Sequence, residues 1–200
     1  MIDFKFIQEL EGKRILTAYV PKDKYGQVLG QSGITISSGV DLGQMEPDDL
    51  RKLFGTFITP FGKQLLDKLI PYCGWKGLKA VGKLETSPLV LNDTESRILD
   101  NLMYEREVKD LESAWYKLSG KSFRELPDRV QTVLFSLQWN FGSILKLPET
   151  SKRFVESFKS GNWMSAYTAL KNFSSKQKEL DERRQKEAEY LKPLLDINNS

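Results

Sequence analysis

The chain has 200 residues, of which 40% are hydrophobic, 11% aromatic and 28% charged. This composition is typical of globular domains and excludes a disordered chain, and the formal charge of +3 is too small to indicate a nucleic-acid partner. Because the sequence has no histidine and one cysteine, Cys73, histidine-activated nucleophiles, histidine or thiolate metal sites and an internal disulfide are excluded, so we expect carboxylate chemistry without a metal or cofactor.

The N-terminal residues predict a short helix over 3–11. Asp3 can cap this helix, Ile7 and Leu10 have helical spacing, and Gly12 is a usual stop. The N-terminus has no basic segment followed by an apolar run, and no segment reaches about 18 consecutive apolar residues. We therefore expect synthesis in the cytoplasm without a signal peptide, and no stable membrane insertion.

Residues 12–45 predict a small lobe that contains β structure. Two short runs rich in β-branched residues, 15–20 and 34–36, are separated by proline and glycine residues that interrupt regular structure. This segment differs from the rest of the sequence, where helical spacing dominates.

Residues 46–200 predict a succession of helices. Asn92 and Glu95 have the spacing of a capping box before a long helix that ends near Gly120. A second helix, which follows Pro127 and ends at Gly142, has the most continuous apolar face and is expected to be the most buried.

Together these elements predict an α+β fold in a single domain. A small mixed α/β lobe (12–45) and a larger helical lobe (46–200), on which the helix 3–11 packs, are expected to be joined by the long helix and to leave a cleft between them.

Two features suggest where chemistry takes place. Glu11 lies at the carboxyl end of a helix, where the dipole disfavours negative charge, and leads into the β region. Residues 32–44 are an unusual run of glycine and hydroxyl residues with one acid, Asp41. Each feature alone is also consistent with ordinary structure, a helix terminus and a glycine-rich hairpin.

Taken together, these motifs resemble phage-type lysozymes, glycoside hydrolase family 24, and most closely the pesticin-like bacterial toxins. The resemblance spans most of the chain in four ordered stretches: Leu10-Glu11-Gly12; Thr35-Ile36-Ser37-Ser38-Gly39 continuing through Val40-Asp41-Leu42-Gly43-Gln44; Phe123-Arg124-Glu125-Leu126-Pro127 with Gln131 to Leu137 and Asn140-Phe141-Gly142; and Glu182-Arg183-Arg184-Gln185-Lys186-Glu187. It implies a lysozyme-like fold and a muramidase that hydrolyses, with inversion, the β-1,4 bond between N-acetylmuramic acid and N-acetylglucosamine in peptidoglycan.

The resemblance also implies roles for individual residues. Glu11 would be the general acid, Asp41 the carboxylate near the anomeric carbon, and Thr35 the hydroxyl that helps to hold the attacking water, a scheme with two carboxylates. Phage enzymes have their second carboxylate between the glutamate and the threonine, where this chain offers Asp23. The pesticin-like pattern favours Asp41, and Asp23 is also explained as a solvated turn residue.

Three further residues are candidates for substrate binding. Gln138 and Asn140, near the end of the buried helix, and Ser37, in the motif, could bind sugar hydroxyls or the stem peptide. Gln138 and Asn140 are also explained as polar groups whose hydrogen bonds are satisfied within the fold. Ser37 replaces the first glycine of the family motif, and the histidine that often follows this motif is absent. Arg183, Arg184 and Glu187 are expected in ion pairs on a helix surface or between lobes.

The expected setting follows from the resemblance. The enzyme would act on peptidoglycan glycan strands in the periplasm or cell wall of a target cell, either as an antibacterial toxin or effector delivered by a secretion system, or as an endolysin released during phage lysis. A monomer and a cognate immunity protein in the cleft are expected. The alternative is an inactive lysozyme-like module that binds cell-wall glycan or a protein partner.

Overall fold

A computed structural model describes residues 1–55, 57, 59–147, 149–175 and 177–197. The chain divides into two compact units. We call Glu11–Arg106 the sheet unit, and Met1–Leu10 with Glu107–Ser200 the helical unit. The predicted lobe boundaries, 12–45 and 46–200, stay a prediction.

The sheet unit contains a three-stranded antiparallel sheet in the order β1-β2-β3. Its elements are β1 (Ile15–Tyr19), β2 (Thr35–Ser37), β3 (Val40–Asp41), α2 (Pro47–Phe54), α3 (Pro60–Leu69), α4 (Gly77–Thr86) and the first half of α5 (Asp93–Ser119). Ile34, Ile36 and Leu42 are fully buried, so the strands that carry the motif pack into the core of this unit.

The helical unit contains the remaining helices. These are α1 (Phe4–Glu11, whose last residue belongs to the sheet unit), the second half of α5, α6 (Asp128–Phe141), α7 (Glu149–Lys159), α8 (Trp163–Lys171), α9 (Lys178–Leu191) and α10 (Pro193–Ile197). The predicted burial of α6 is confirmed, because nine consecutive residues from Val130 to Gln138 are buried. Phe4 of α1 packs edge-to-face on Phe135 of α6 at a ring distance of 5.4 Å.

Local signals in the sequence determine several helix ends. The amide of Phe6 donates to the Asp3 carboxylate over 3.0 Å, which caps α1 as predicted. Asn92 and Glu95 exchange the two hydrogen bonds of a capping box, at 2.8 and 2.9 Å. Gly142 ends α6 with a φ of +78°, a left-handed conformation that favours glycine.

The last long helix is more buried than its charged sequence suggests. Arg184 and Glu187 of α9 are both fully buried, and Arg184 Nη2 lies 3.1 Å from Glu187 Oε1. The pair is therefore not on the helix surface. In the part of the chain that the structure describes, no helix combines the length and apolar character needed to cross a lipid bilayer.

Candidate active site

The sheet brings three motif residues into one row. Tyr19 of β1 is the register partner of Thr35 in β2, and Thr35 is the partner of Asp41 in β3. Directly opposed residues on antiparallel strands extend their side chains from the same face of a sheet. The row Tyr19–Thr35–Asp41 therefore presents a phenol, a hydroxyl and a carboxylate on one face.

Backbone amides fix the Asp41 carboxylate from both sides. Gly43 N–H donates to Oδ1 over 2.9 Å and Gly33 N–H donates to Oδ2 over 3.2 Å. Each carboxylate oxygen has a second lone pair, so both oxygens can still accept a hydrogen bond from a water molecule. Asp41 is half-buried; its orientation is therefore fixed while it remains accessible.

The two glycines around Asp41 are required by close packing of the backbone. A Cβ atom on Gly33 would lie 2.4 Å from Gly43 Cα, 2.5 Å from Asp41 Oδ1 and 2.8 Å from the Trp75 carbonyl oxygen. A Cβ atom on Gly43 would meet Gly33 Cα and the Trp75 carbonyl, both at 2.4 Å. No side chain fits at either position. The two glycines of the motif therefore allow three backbone segments to pack closely around the Asp41 carboxylate.

Glu11 lies within electrostatic reach of this row. Burial raises the pKa of the Tyr19 phenol, and the negative charges of Asp41 and Glu11 raise it further. Both carboxylates therefore lie within electrostatic range of the Tyr19 phenol. The Glu11 side chain is half-buried, and its Oε1 atom is shielded from solvent.

A buried carboxylate on α5 holds the turn between β2 and β3. Asp100 is fully buried and accepts hydrogen bonds from the hydroxyls of Ser37 (2.7 Å) and Ser38 (2.8 Å) and from the Ser38 amide (3.2 Å). Arg14 Nε lies 2.8 Å from Asp100 Oδ2 and balances its charge. This network connects α5 to the motif between Thr35 and Asp41 and therefore keeps the row in register.

The Asp100 network also acts on a neighbouring tyrosine. Tyr104 lies one helical turn after Asp100 and is buried. Burial and the negative charges of Asp100 and Glu11 raise the pKa of Tyr104 to about 12. A hydrogen bond with Ser38 and the positive charge of Arg14 lower this pKa, but their effect is smaller. Tyr104 therefore keeps its proton and stays neutral at physiological pH.

Ser37 has a backbone conformation that normally requires glycine. Its φ is +60°, and it occupies the position where the family motif has glycine. The side chain is buried, with its hydroxyl bonded to Asp100 and to the Ser96 hydroxyl. The hydrogen bonds that the structure gives to this hydroxyl are thus internal, although the sequence suggested a contact with substrate.

Asp23, the alternative second carboxylate, lies in a tight turn. Its Oδ1 accepts the amides of Tyr25 (2.8 Å) and Gln27 (2.9 Å), and Lys22 pairs with Val28 across the turn. The carboxylate organises this turn, as the turn interpretation predicted.

Gln138 and Asn140 belong to the helical unit. Gln138 is buried, accepts the Ile144 amide over 2.8 Å and donates weakly to Glu107 over 3.4 Å. Asn140 is exposed and accepts a hydrogen bond from Arg184 over 3.2 Å. The described contacts of Gln138 support the turn that follows α6, and Asn140 remains accessible.

Three residues around the motif, Tyr19, Arg14 and Asp100, were not predicted from the sequence. A signal existed for Asp100, because Ser96 and Asp100 share a helix face with the buried Leu99 and Met103. Tyr19 could have been found from its place at the end of a strand that enters the motif.

A helix that ends in a glutamate, followed by a small antiparallel sheet that aligns a threonine and an aspartate, and then by a large set of helices, defines a lysozyme-like protein. The family of pesticin C-terminal domains, described as a bacterial toxin homologue of phage lysozyme, matches residues 1–163. The chain belongs to this family, which confirms the predicted lysozyme-like α+β fold. No curated protein is detectably similar to the chain.

Proposed function

We propose that this chain is an inverting muramidase that hydrolyses the β-1,4 bond between N-acetylmuramic acid and N-acetylglucosamine in peptidoglycan. The observation that carries the proposal is that Asp41, whose carboxylate is oriented by the amides of Gly33 and Gly43, is the direct register partner of Thr35. Glu11 lies in the same compact unit. Membership of a lysozyme-related toxin family supports it. Two carboxyl groups, one acting as the acid and one as the base or nucleophile, are what glycoside hydrolysis requires.

Glu11 acts as the general acid in this proposal. The glycosidic oxygen is a poor leaving group until it is protonated, so the carboxyl proton moves to that oxygen as the bond to the anomeric carbon breaks. One oxygen of this carboxyl group, Oε1, is shielded from solvent.

Asp41 acts as the general base. It accepts a proton from a water molecule that attacks the anomeric carbon from the opposite side of the sugar, and this attack inverts the configuration. The amides of Gly33 and Gly43 hold the carboxylate in one orientation, so little reorganisation is needed during the reaction.

Thr35 holds the same water. Its hydroxyl donates to the Gly33 carbonyl over 3.2 Å, which leaves its oxygen lone pairs to accept from water. A water between Thr35 and Asp41 would donate one hydrogen to each residue, with its own lone pair directed at the sugar.

Comparison of the two aspartates tests this assignment. Glu11→Gln and Asp41→Asn should each lower the rate at least about 100-fold, the usual size of a general acid or base contribution, without loss of the fold. Asp23→Asn is the matched control and should retain activity, because Asp23 lies in the turn. Loss of activity in Asp23→Asn alone would overturn the role of Asp41.

The first experiment is digestion of purified peptidoglycan, followed by borohydride reduction and mass spectrometry of the new ends. Reduced muramic acid ends are the expected product. Anhydro-muramic ends would show that the reaction is transglycosylation and not hydrolysis. An intact sacculus that retains the protein would favour the inactive, glycan-binding module.

An antibacterial toxin is the setting that we propose, in preference to a phage endolysin, because the matching family is described as a bacterial toxin. Delivery by a secretion system, action in the cell wall of a target cell, a monomeric enzyme and a cognate immunity protein belong to the same proposal. Expression in the periplasm should lyse cells, whereas expression of Glu11→Gln should not.

A further inference from the structure

We propose that Tyr19 is a further substrate-contacting residue, whose hydroxyl donates a hydrogen bond to a sugar oxygen beside the cleaved bond. The inference rests on the muramidase activity proposed above and assigns the third residue of the row Tyr19–Thr35–Asp41. Three independent properties of Tyr19 carry it: its place in the row, its accessibility and its hydrogen bonding.

The register of the sheet determines the place of Tyr19. It is the direct partner of Thr35, which is itself the partner of Asp41. Neighbouring strands lie about 4.8 Å apart, so the Tyr19 side chain starts one strand away from the hydroxyl proposed to hold the water. An irregularity between Ile15 and Tyr19 accompanies this pairing at the end of β1.

Tyr19 is accessible although its neighbours are buried. Its side chain is 36% exposed, whereas Thr35 is 4% exposed. A phenol ring at the accessible edge of a row of polar groups offers an apolar face to a sugar ring and a donor to its oxygens. Of the row, Tyr19 is therefore the residue that an incoming glycan strand can reach most directly.

The Tyr19 hydroxyl is available to donate a hydrogen bond. Among the residues that the structure describes, none forms a hydrogen bond with it, whereas the hydroxyls of Tyr72 and Tyr190 bond to Ser87 and Asp3. The pKa of Tyr19 is raised by burial and by Asp41 and Glu11, so the phenol keeps its proton at neutral pH. Hydroxyl, ether and acetamido oxygens of the glycan are suitable acceptors.

Tyr19→Phe tests the inference, with Tyr116→Phe as the matched control. Tyr116 is 64% exposed on α5, outside the sheet unit. Steady-state release of reducing ends from purified peptidoglycan should show kcat/KM about tenfold lower for Tyr19→Phe, the effect of losing one hydrogen bond, and unchanged for Tyr116→Phe. The unfolding midpoint of Tyr19→Phe should stay at the wild-type value, since no described internal bond is lost.

A binding measurement keeps the inference separate from folding and from turnover. In the inactive Glu11→Gln background, adding Tyr19→Phe should weaken retention on intact sacculi, and adding Tyr116→Phe should not. If the wild type is active and Tyr19→Phe matches Tyr116→Phe in both assays, the role of Tyr19 is overturned while the muramidase proposal stands. If the wild type releases no reducing ends, both proposals fail.

Discussion

At the residue scale, Ser37 shows how a departure from the family motif is accommodated. A left-handed conformation costs a residue other than glycine about 1–2 kcal/mol, and Ser37 has a φ of +60°. Its hydroxyl donates to the buried Asp100 carboxylate over 2.7 Å, and a hydrogen bond to a charged group contributes about 1.5–3 kcal/mol. The hydrogen bond therefore offsets the strain.

Two substitutions separate these effects. Ser37→Ala keeps the strain and loses the hydrogen bond, so we expect the free energy of unfolding to fall by about 2–3 kcal/mol. Ser37→Gly also loses the bond but relieves the strain, so its loss should be about 1 kcal/mol smaller. Urea unfolding measures both values. Equal losses of unfolding free energy in the two variants would contradict the backbone strain at Ser37. A raised KM in Ser37→Gly at wild-type stability would indicate that Ser37 binds substrate.

At the element scale, Asp100 connects α5 to the turn between β2 and β3. Asp100→Asn should lower the free energy of unfolding by about 3 kcal/mol, because Arg14 and two serine hydroxyls lose a buried carboxylate. Asp93→Asn is the matched control on the same helix. Asp93 also pairs with an arginine, Arg97, but both side chains are more than half exposed, so less than about 1 kcal/mol should be lost.

Urea unfolding of these two variants tests the connection, and the lytic rate provides a second measurement. Because the serines that Asp100 holds lie between Thr35 and Asp41, Asp100→Asn should also slow hydrolysis under conditions where it remains folded. Equal unfolding energies for the two variants would show that the buried network does not stabilise the turn.

The contrast between these elements explains how much the sequence could predict. The capping box of α5 and the glycine end of α6 were predicted correctly because each depends on residues within one helical turn. Asp100 was missed because its partners are 62 and 86 residues away in the sequence. The family resemblance implied Glu11, Thr35 and Asp41 as a set, but only the strand register aligned Tyr19 with Thr35 and Asp41.

At the scale of the whole molecule, the helices that follow the family match belong to the core of the helical unit. The match ends at residue 163, yet α8 and α9 contain the fully buried side chains Ala166, Leu170, Arg184, Glu187, Ala188 and Leu191. All of these side chains belong to the helical unit. Arg184 and Glu187 form an ion pair with each other there. The helical unit therefore extends beyond the region matched by the family.

Truncation tests this conclusion. A chain that ends at residue 163 loses α8 and α9, so residues packed against them become exposed. We expect such a chain to be insoluble or to lack a cooperative thermal transition by circular dichroism, as expected when a large apolar surface is uncovered. A chain that ends at residue 192 loses only α10 and the residues beyond it, and should unfold cooperatively. A soluble, cooperative and lytic 1–163 chain would instead make α8 and α9 an appendage to a complete domain.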